Sequence, residues 1–485
     1  NPRSADFPPL KRETGIPMAL TKNYGLGSEA LLDAATELVE RAFERKTVSE
    51  AEATITLTVN SFARFADTGP TQSAERAKLD VHLRIRREAD GQIFEAAASG
   101  QALDEIAMDK LIDQADSIAA ISPAVGTPIE LGGAVDVSTG SCDAATLTHG
   151  PAEKALAIKK AIAATQAVGG TPAGLYDTTG RAVVIANSRG RQVRNETTRA
   201  SFALTVTGPS DDGLGGSGWA ECIRGSVGEL DIDGVIERAI AKAAIGQERG
   251  AVEPGDYTVV LEPAAVSSLL LFASYYGFGA KDVAEESSFL CGRIGEKAFA
   301  ESVTIVDNWN HPMYQSRSFD GEGSPKRVTP LVTAGVLENP VTDRTFAVRT
   351  GGQAEESTGH ADTQPSGSGP SATCLCVDAG RVSSADLIVG VKRGLLVTQF
   401  HYTNLIDPRE MMLTGMTRNG LFLIEDGKVI QPLKNLRFTE SLLRAMANVA
   451  AVGSELDISG ALFDGEVVTP PLRIDGFRFT SSTDF

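Results

Sequence analysis

The sequence predicts a protein of mixed helices and strands in two domains, and three observations lead to this prediction. The 485 residues are enough for two or three domains with substantial cores. Alternating apolar strands and amphipathic helices follow one another as far as residue 250. A glycine-bearing segment, residues 250–255, then leads to a second part that becomes rich in strands after Glu296. We therefore predict an N-terminal domain of residues 28–250 and a C-terminal domain of residues 251–485.

The elements of the first domain are predicted from their periodicity. Residues 28–43 have the pattern of an amphipathic helix, with Ser28 as its capping residue. Apolar residues alternate with threonine from residue 53 to 65, which indicates a half-buried strand, and Asp90-Gly91 between alternating runs indicates a hairpin. Residues 122–140, rich in Gly, Pro and Ser, are a possible internal boundary. Further helices are expected at 103–120, 152–167 and 231–247, and further strands at 81–86, 174–176, 182–185 and 202–206.

The most informative stretch of the second domain is residues 256–296. A short apolar strand at 257–261 precedes Pro263, which is favoured in the first turn of a helix, and apolar residues then recur at helical spacing until Gly277. This predicted helix carries neither a histidine nor a carboxylate. Residues 351–371 form a long loop, of a kind that is usually functional or disordered. Other strands are expected at 303–306, 332–337, 372–377, 394–398, 421–424 and 429–430, and a last helix at 439–449.

Composition narrows the class of protein. The formal charge is −18, which argues against a nucleic acid partner because such binding depends on cationic side chains. Five cysteines form no disulfide framework and fit a reducing compartment. The sequence contains no run of 18 apolar residues, so no membrane span is predicted. Residues 1–17 lack the apolar stretch of a secretory signal. We therefore expect a cytoplasmic protein in which residues 1–27 are a leader or a vector-derived segment, with Met18 as a candidate initiator.

Seven short motifs, taken in order, resemble those of the TldD/TldE peptidase family, in which TldE is also called PmbA. Each motif is weak alone, but their order along the chain is specific. They are Gly295-Glu296 with Val303-Thr304-Ile305-Val306-Asp307, Phe319-Asp320-Gly321-Glu322-Gly323-Ser324-Pro325, Ala334-Gly335-Val336-Leu337, Ser357-Thr358-Gly359, Gly394-Leu395-Leu396-Val397-Thr398, Gly427-Lys428-Val429-Ile430-Gln431-Pro432 and Ala451-Val452-Gly453. The resemblance implies an α+β, two-domain TldD/PmbA-like fold, with an N-terminal α/β domain and a β-rich C-terminal domain.

The resemblance also implies two kinds of subunit. A TldD-type subunit binds zinc through His-Glu-x-x-x-His on the helix that corresponds to residues 263–277 here, and through a late cysteine. In this sequence that helix ends Leu271-Phe272-Ala273-Ser274-Tyr275-Tyr276-Gly277, and no cysteine follows Cys376. Zinc catalysis needs converging N or S donors and a nearby carboxylate that takes a proton. We therefore expect a TldE-type subunit, inactive alone and without catalytic or metal-binding residues, whose zinc belongs to a TldD-type partner.

Peptide binding is the role that the resemblance leaves for this chain. The family trims unfolded or modified peptides in an enclosed channel, so a peptide substrate is expected. Polar and aromatic residues form a predicted loop after the strand at 394–398, and we predict that His401, Tyr402 and Asn404, together with His360, bind the peptide. The helix residues 266–272 and the loop 351–371 are expected to contact the partner or the channel. A stand-alone, homodimeric peptide binder or modulator without proteolysis is the alternative.

Other site chemistries are weaker interpretations of the sequence. His360, Cys374, Cys376 and His401 supply acceptable zinc donors, but Cys-x-Cys is an unusual zinc spacing and fits a buried strand better. The glycine-rich residues 211–219 lack the lysine of a phosphate-binding loop, and no Gly-x-Ser-x-Gly elbow of a serine hydrolase is present. Asp320 and Glu322 are predicted to stabilise a turn.

Overall fold

The computed structural model describes residues 26–209, 216–246, 248–460 and 465–483. The predicted leader lies outside these residues except for its last two positions, and so do Asp211–Gly215 of the glycine-rich stretch and Gln247. No helix among the described residues has the length and apolarity needed to cross a bilayer. The α+β fold is confirmed, whereas the domain limits stay a prediction.

Up to residue 246, long antiparallel strands alternate with helices. The strand at Thr171–Asn187 (β5) runs without interruption where the sequence predicted two separate strands, because it pairs along nearly its whole length with a neighbouring strand on each side. The elements are α1 (Ser28–Phe43), β1 (Glu50–Ala66), β2 (Gly69–Ala89), β3 (Gln92–Gly100), α2 (Glu105–Ala119), β4 (Gly140–Ser141), α3 (Ala144–Thr148), α4 (Pro151–Ala167), β5 (Thr171–Asn187), β6 (Gln192–Thr207), β7 (Ser217–Arg224) and α5 (Ile232–Ala243).

From residue 255 the elements are shorter, and strands predominate. They are β8 (Gly255–Leu261), α6 (Pro263–Tyr276), α7 (Ala280–Ala284), β9 (Ile305–Asp307), β10 (Thr329–Thr333), β11 (Val336–Leu337), α8 (Arg344–Arg349), β12 (Leu375–Val377), α9 (Ser384–Val389), β13 (Arg393–Asp407), β14 (Met412–Glu425), β15 (Lys428–Pro432), β16 (Leu436–Ser441), α10 (Leu442–Ala447), β17 (Val449–Val452), β18 (Asp457–Gly460), β19 (Glu466–Thr469) and β20 (Leu472–Ser482).

The first sheet has the order β3-β2-β1-β5-β6-β4, and β7 adds to β6. Ile55 and Leu57 project to one face, where they pack against α1 and α2, as their alternation predicts. Further along the sheet, α4 and α5 cover a cluster that contains Tyr176 and Phe202. The opposite face carries the polar residues of β1 and β2 and receives the segment that contains Phe319. The predicted Asp90-Gly91 hairpin is confirmed, with both residues at positive φ.

Two further sheets form the second half. The second sheet has the order β11-β10-β9-β12-β19-β18. In the third, β13 pairs with β8 and also with β14, so β8, β20, β16, β14 and β13 close into a ring, which we call the barrel. Phe400, Phe438, Phe477 and Phe479 fill its interior, with Phe400 and Phe477 stacked at 5.7 Å. Closing the ring leaves these five strands no free edge.

Several sequence-based details are wrong. Ser28 does not cap α1: Gly27 is the capping position, and the Ser28 amide donates instead to Glu196 Oε1 at 2.9 Å. The last predicted helix, 439–449, is shorter than expected: α10 spans only Leu442–Ala447, because β16 pairs with β14 as far as Ser441 and β17 begins at Val449. The strand at 394–398 does not end in a loop, since β13 continues to Asp407 along β14.

Candidate functional site

Helix α6 is the helix that the resemblance matches to the zinc-binding helix of a TldD-type subunit. Its side chains from Ala264 to Ser274 are almost all buried, and most belong to the main apolar core. The buried hydroxyls are already engaged: Ser267 donates to the carbonyl oxygen of Val467, and Ser274 to that of Ala372. The helix therefore presents no nitrogen, thiolate or carboxylate donor, and its residues do not fit a zinc ion. The side chains of residues 266–270 pack mostly within this chain, whereas Leu271 and Phe272 also reach a surface cavity, so contact of residues 266–272 with the partner or the channel stays a prediction.

The end of α6 reaches the surface with aromatic side chains. Tyr275 and Tyr276 are 38% and 47% exposed, and Tyr276 stacks on Phe272 with ring centroids 6.4 Å apart. These three residues and Leu271 line a shallow surface cavity of about 340 Å³. Among the described residues, the last turn of α6 is therefore the only part of this helix with apolar side chains open to contact.

His360 lies in a buried polar cluster beside the second sheet. Its Nε2 is 3.1 Å from Asp307 Oδ1, and its Nδ1 is 2.9 Å from Thr358 Oγ1. Asp307 Oδ2 accepts the backbone N–H of Cys374 at 2.8 Å. Burial disfavours the ionised carboxyl, but His360, the charge of Lys326 and the N–H of Cys374 together outweigh this effect, so the pKa of Asp307 is lowered. The His360 side chain is fully buried, so its contacts tie the loop to β9 and β12.

The relocated zinc site is not formed. Burial raises the pKa of Cys374 and Cys376, so both thiols stay protonated within a small apolar cluster beside Tyr314. His401 lies on the barrel, whereas the two cysteines lie at β12 of the second sheet. Across the described ranges, no three or more His, Cys, Asp or Glu side chains are grouped to hold a metal ion.

Asp320 stabilises the turn that the sequence predicted. Its Oδ1 accepts the N–H groups of Glu322 and Ser324, both at 2.9 Å, and its Oδ2 accepts the N–H of Ala361 at 3.0 Å. The carboxylate therefore fixes the turn and fastens it to the long loop.

The main cavity near the predicted site lies where the barrel meets the end of the first sheet. Its volume is about 450 Å³, and its walls include Thr207 and Ser217 from the first sheet and His401, Tyr402 and Met416 from the barrel. This volume falls in the range of about 300 to 1,000 Å³ that small-molecule sites occupy. We call it the barrel cavity.

Two β-bulges shape the barrel cavity. Between the pairs His401–Met416 and Asn404–Thr414, β13 has one residue more than β14, and Tyr402 takes a φ of 51° there. Between the pairs Val397–Leu421 and Gln399–Arg418, β14 has the extra residue. Bulges re-aim side chains and are common beside functional sites.

Arg418 and His401 are in direct contact inside the cavity. One guanidinium nitrogen, Nη1, lies 3.0 Å from His401 Nδ1 and 2.9 Å from Nε2. The lone-pair directions of the two ring nitrogens diverge, so one donor cannot bond in the ring plane to both, and Arg418 lies across the ring. Burial and the charge of Arg418 lower the pKa of His401, so the imidazole is neutral at neutral pH.

The structure brings together only part of the predicted set. His401 and Tyr402 are adjacent in the barrel cavity, with ring centroids 4.0 Å apart. Asn404 lies beyond the bulge, where its Oδ1 accepts the N–H of Leu405, and His360 is buried elsewhere. Peptide binding by these four residues stays a prediction.

Sequence reasoning missed Arg249 and Arg418 as cavity residues. Arg418 reaches His401 only because β14 pairs with β13, which a single strand does not reveal. The following Asn419-Gly420 is a turn-type dipeptide directly before the apolar run of residues 421–424, and this signal points to the bulge.

The comparisons with known proteins agree with this fold. Residues 143–246 match the model of the PmbA/TldA metallopeptidase central domain, and residues 254–481 match that of the PmbA/TldA metallopeptidase C-terminal domain. The crystal structure of TldE from Thermococcus kodakarensis superposes with a TM-score of 0.82 at 19% identity, covering 92% of this chain and 100% of that chain.

Curated relatives match a smaller part of this chain than the TldE structure does. A protein of Methanothermobacter thermautotrophicus named metalloprotease is 24% identical over 285 residues, which are 56% of this chain and 59% of the relative. A metalloprotease TldD homolog of Haemophilus influenzae is 28% identical over 257 residues, 50% of this chain and 53% of the relative. The chain thus spans little more than half the length of these relatives.

Fold and sequence models together define a metallopeptidase-like protein, with a helix-backed first sheet and a second half of mixed strands. The two models cover more than half of the chain. The chain belongs to the PmbA/TldD family.

Proposed function

We propose that this chain is a non-catalytic, TldE/PmbA-like subunit of a heteromeric zinc metallopeptidase. The complex degrades or trims unfolded or modified peptides, and this subunit completes the channel of a TldD-type partner that holds the zinc. The observation that carries the proposal is the chemistry of α6. Its buried side chains are apolar, and its buried hydroxyls donate hydrogen bonds to backbone carbonyl oxygens. Relatives named metalloprotease support the reaction, and the likeness to TldE supports the fold on which it depends.

Each subunit then has its own part. The partner supplies the metal, the activated water and the proton acceptor, which this chain lacks at α6. His401 and Tyr402 in the barrel cavity hold the peptide, with Asn404 beside them. The exposed Tyr275 and Tyr276 offer an apolar surface for assembly. Five cysteines, all free, support a cytoplasmic location for the complex.

Metal analysis and a peptide-degradation assay test this proposal. The chain is purified alone, the TldD-type partner alone, and both after co-expression. We expect zinc only in samples that contain the partner, and degradation of an unfolded peptide only when both subunits are present. A partner in which one zinc-binding histidine is replaced by alanine is the control, since it should assemble and remain inactive.

Two other outcomes of these assays would count against the proposal. Stoichiometric zinc with peptide hydrolysis in this chain alone contradicts the proposal. A chain that binds peptides as a homodimer, and adds nothing to the partner's activity, favours the stand-alone binder instead.

A further inference from the structure

The described lining of the barrel cavity is cationic, although the protein is acidic. The chain carries a formal charge of −18, yet the charged side chains that line this cavity in the described residues are Arg249 and Arg418. No aspartate or glutamate is among those lining residues. A concave surface with one sign of charge concentrates ligands of the opposite sign, so the cavity favours an anionic group.

The two guanidinium groups keep donors available. Arg418 contacts His401, a neutral ring that cannot compensate its charge. Within the described part of the chain, neither Arg249 nor Arg418 forms an ion pair with a carboxylate. A guanidinium has five N–H donors in a planar fork that matches the two oxygens of a carboxylate. An unpaired fork lining a cavity is therefore suited to a carboxylate ligand.

The other side chains that line the barrel cavity suit the remainder of a ligand that carries a carboxylate. Met416 and Leu433 give the cavity an apolar side, and Asn419 adds an amide. Asn419 Nδ2 donates to Gln399 Oε1 at 2.7 Å, which holds the amide at the bulge. A small, partly apolar group with one negative end matches this combination.

We propose that the barrel cavity binds the carboxyl-terminal residue of a peptide. Arg418 and Arg249 bind the terminal carboxylate, and the last side chain lies against Met416 and Leu433. Capture of a terminal carboxylate is a recurring mode of peptide recognition, and charge-assisted bonds from arginine are its strongest form. This inference rests on the proposed function, because it takes a peptide as the ligand.

Fluorescence anisotropy with the full-length chain tests the inference. The probe is a short, N-terminally fluorescein-labelled unfolded peptide that ends in leucine, prepared as the free acid and as the carboxamide. We expect the acid to bind on the order of tenfold more tightly, which is the effect of one lost charge-assisted contact. N-acetyl-leucine should compete for the site and N-acetyl-leucinamide should not, a result that needs no variant protein.

Substitutions test whether the two cavity arginines cause the preference for the free acid. Arg418→Gln and Arg249→Gln should each remove the preference for the acid, and Arg393→Gln should retain it. Arg393 is an exposed arginine at the other end of β13, opposite Glu425, and serves as the matched control.

Two results overturn the inference and are distinct from each other. Equal affinity for acid and carboxamide, or an equal loss in the Arg393 control, overturns it and leaves peptide holding intact. Absence of binding for both forms overturns it together with the peptide-holding part of the proposed function. The zinc and partner assay above is unaffected by either outcome.

Discussion

At the scale of single residues, Tyr402 has the least ordinary backbone in the barrel cavity. Its φ of 51° lies in the left-handed region, and its side chain is 69% exposed beside His401. A bulky residue there costs about 1 to 2 kcal/mol, and such positions gather at functional sites. An exposed aromatic ring kept at a strained position is consistent with a role in binding.

Replacing Tyr402 separates stability from binding. We expect Tyr402→Asn to leave the free energy of unfolding unchanged or to raise it by up to about 1 kcal/mol, because asparagine tolerates this φ. The same change should weaken peptide binding. Urea unfolding and anisotropy measure the two effects, and Tyr402→Phe, which keeps the ring and the strain, is the control. Clear destabilisation by Tyr402→Asn would contradict this reading.

Asp320 is the residue on which the turn at 320–324 depends. Asp320→Ala should destabilise the fold by several kcal/mol, on the order of 1 to 2 for each of the three N–H groups that lose an acceptor. Asp320→Asn should cost less, because its remaining oxygen still accepts two of them. Chemical unfolding measures both, with the exposed Asp378→Asn as the control. Equal effects of the alanine and asparagine changes would exclude this network as the cause.

At the scale of elements, α6 is a core helix with an exposed last turn. Its periodicity identified the helix correctly, but periodicity alone did not show that both its sides are covered. The barrel lies against one side and β18 and β19 against another. A helix surrounded in this way cannot open a metal site without losing apolar contacts.

Replacing a buried side chain of α6 by a smaller one should therefore lower the free energy of unfolding. Leu270 is completely buried, and Leu270→Ala should lower the free energy of unfolding by about 2 to 5 kcal/mol. Leu156→Ala on α4 removes the same atoms from a side chain that is 72% exposed and should cost less than about 0.5 kcal/mol. Urea midpoints compare the two variants. An unchanged midpoint for Leu270→Ala, together with weaker partner binding, would mean that this face belongs to the interface.

At the scale of the whole molecule, buried charges join the first sheet to the segment around residue 322. Arg191 donates to the carbonyl oxygen of Glu322 at 2.9 Å and to Ser324 Oγ at 3.1 Å. Arg84, 3.4 Å from Glu52 and 2.7 Å from Glu95, adds positive charge next to Glu322. Burial and the neighbouring Asp320 nevertheless raise the pKa of Glu322 to about 8.

This pKa predicts how stability depends on pH. A carboxyl with a raised pKa in the folded state stabilises the fold when protonated, so its contribution is complete below its ordinary pKa of 4.5 and is lost as the pH rises through about 8. Glu221, whose pKa burial also raises to about 8, acts in the same direction, so we expect stability to fall between about pH 5 and pH 8 and Glu322→Gln to reduce the slope. Urea unfolding across this range measures it, with the exposed Glu237→Gln as the control. A Glu322→Gln profile as steep as that of the wild type would refute the assignment.

The sequence by itself determined the local pattern of this protein. Strand alternation, the Asp90-Gly91 turn, Pro263 at the start of α6 and the ordered motifs after Gly295 were enough for the fold class and the family, because these signals depend on neighbours in the chain. The absence of donors on α6 was also visible in the sequence.

Only the tertiary structure decided the rest. Pairing with β14 extends β13 through His401 and Tyr402, and the same pairing brings Arg418 against His401. Closure of the barrel and contact with the first sheet create the cavity, while the fold buries His360. These features arise from hydrogen bonds and packing between residues far apart in the chain, and no local pattern encodes such contacts.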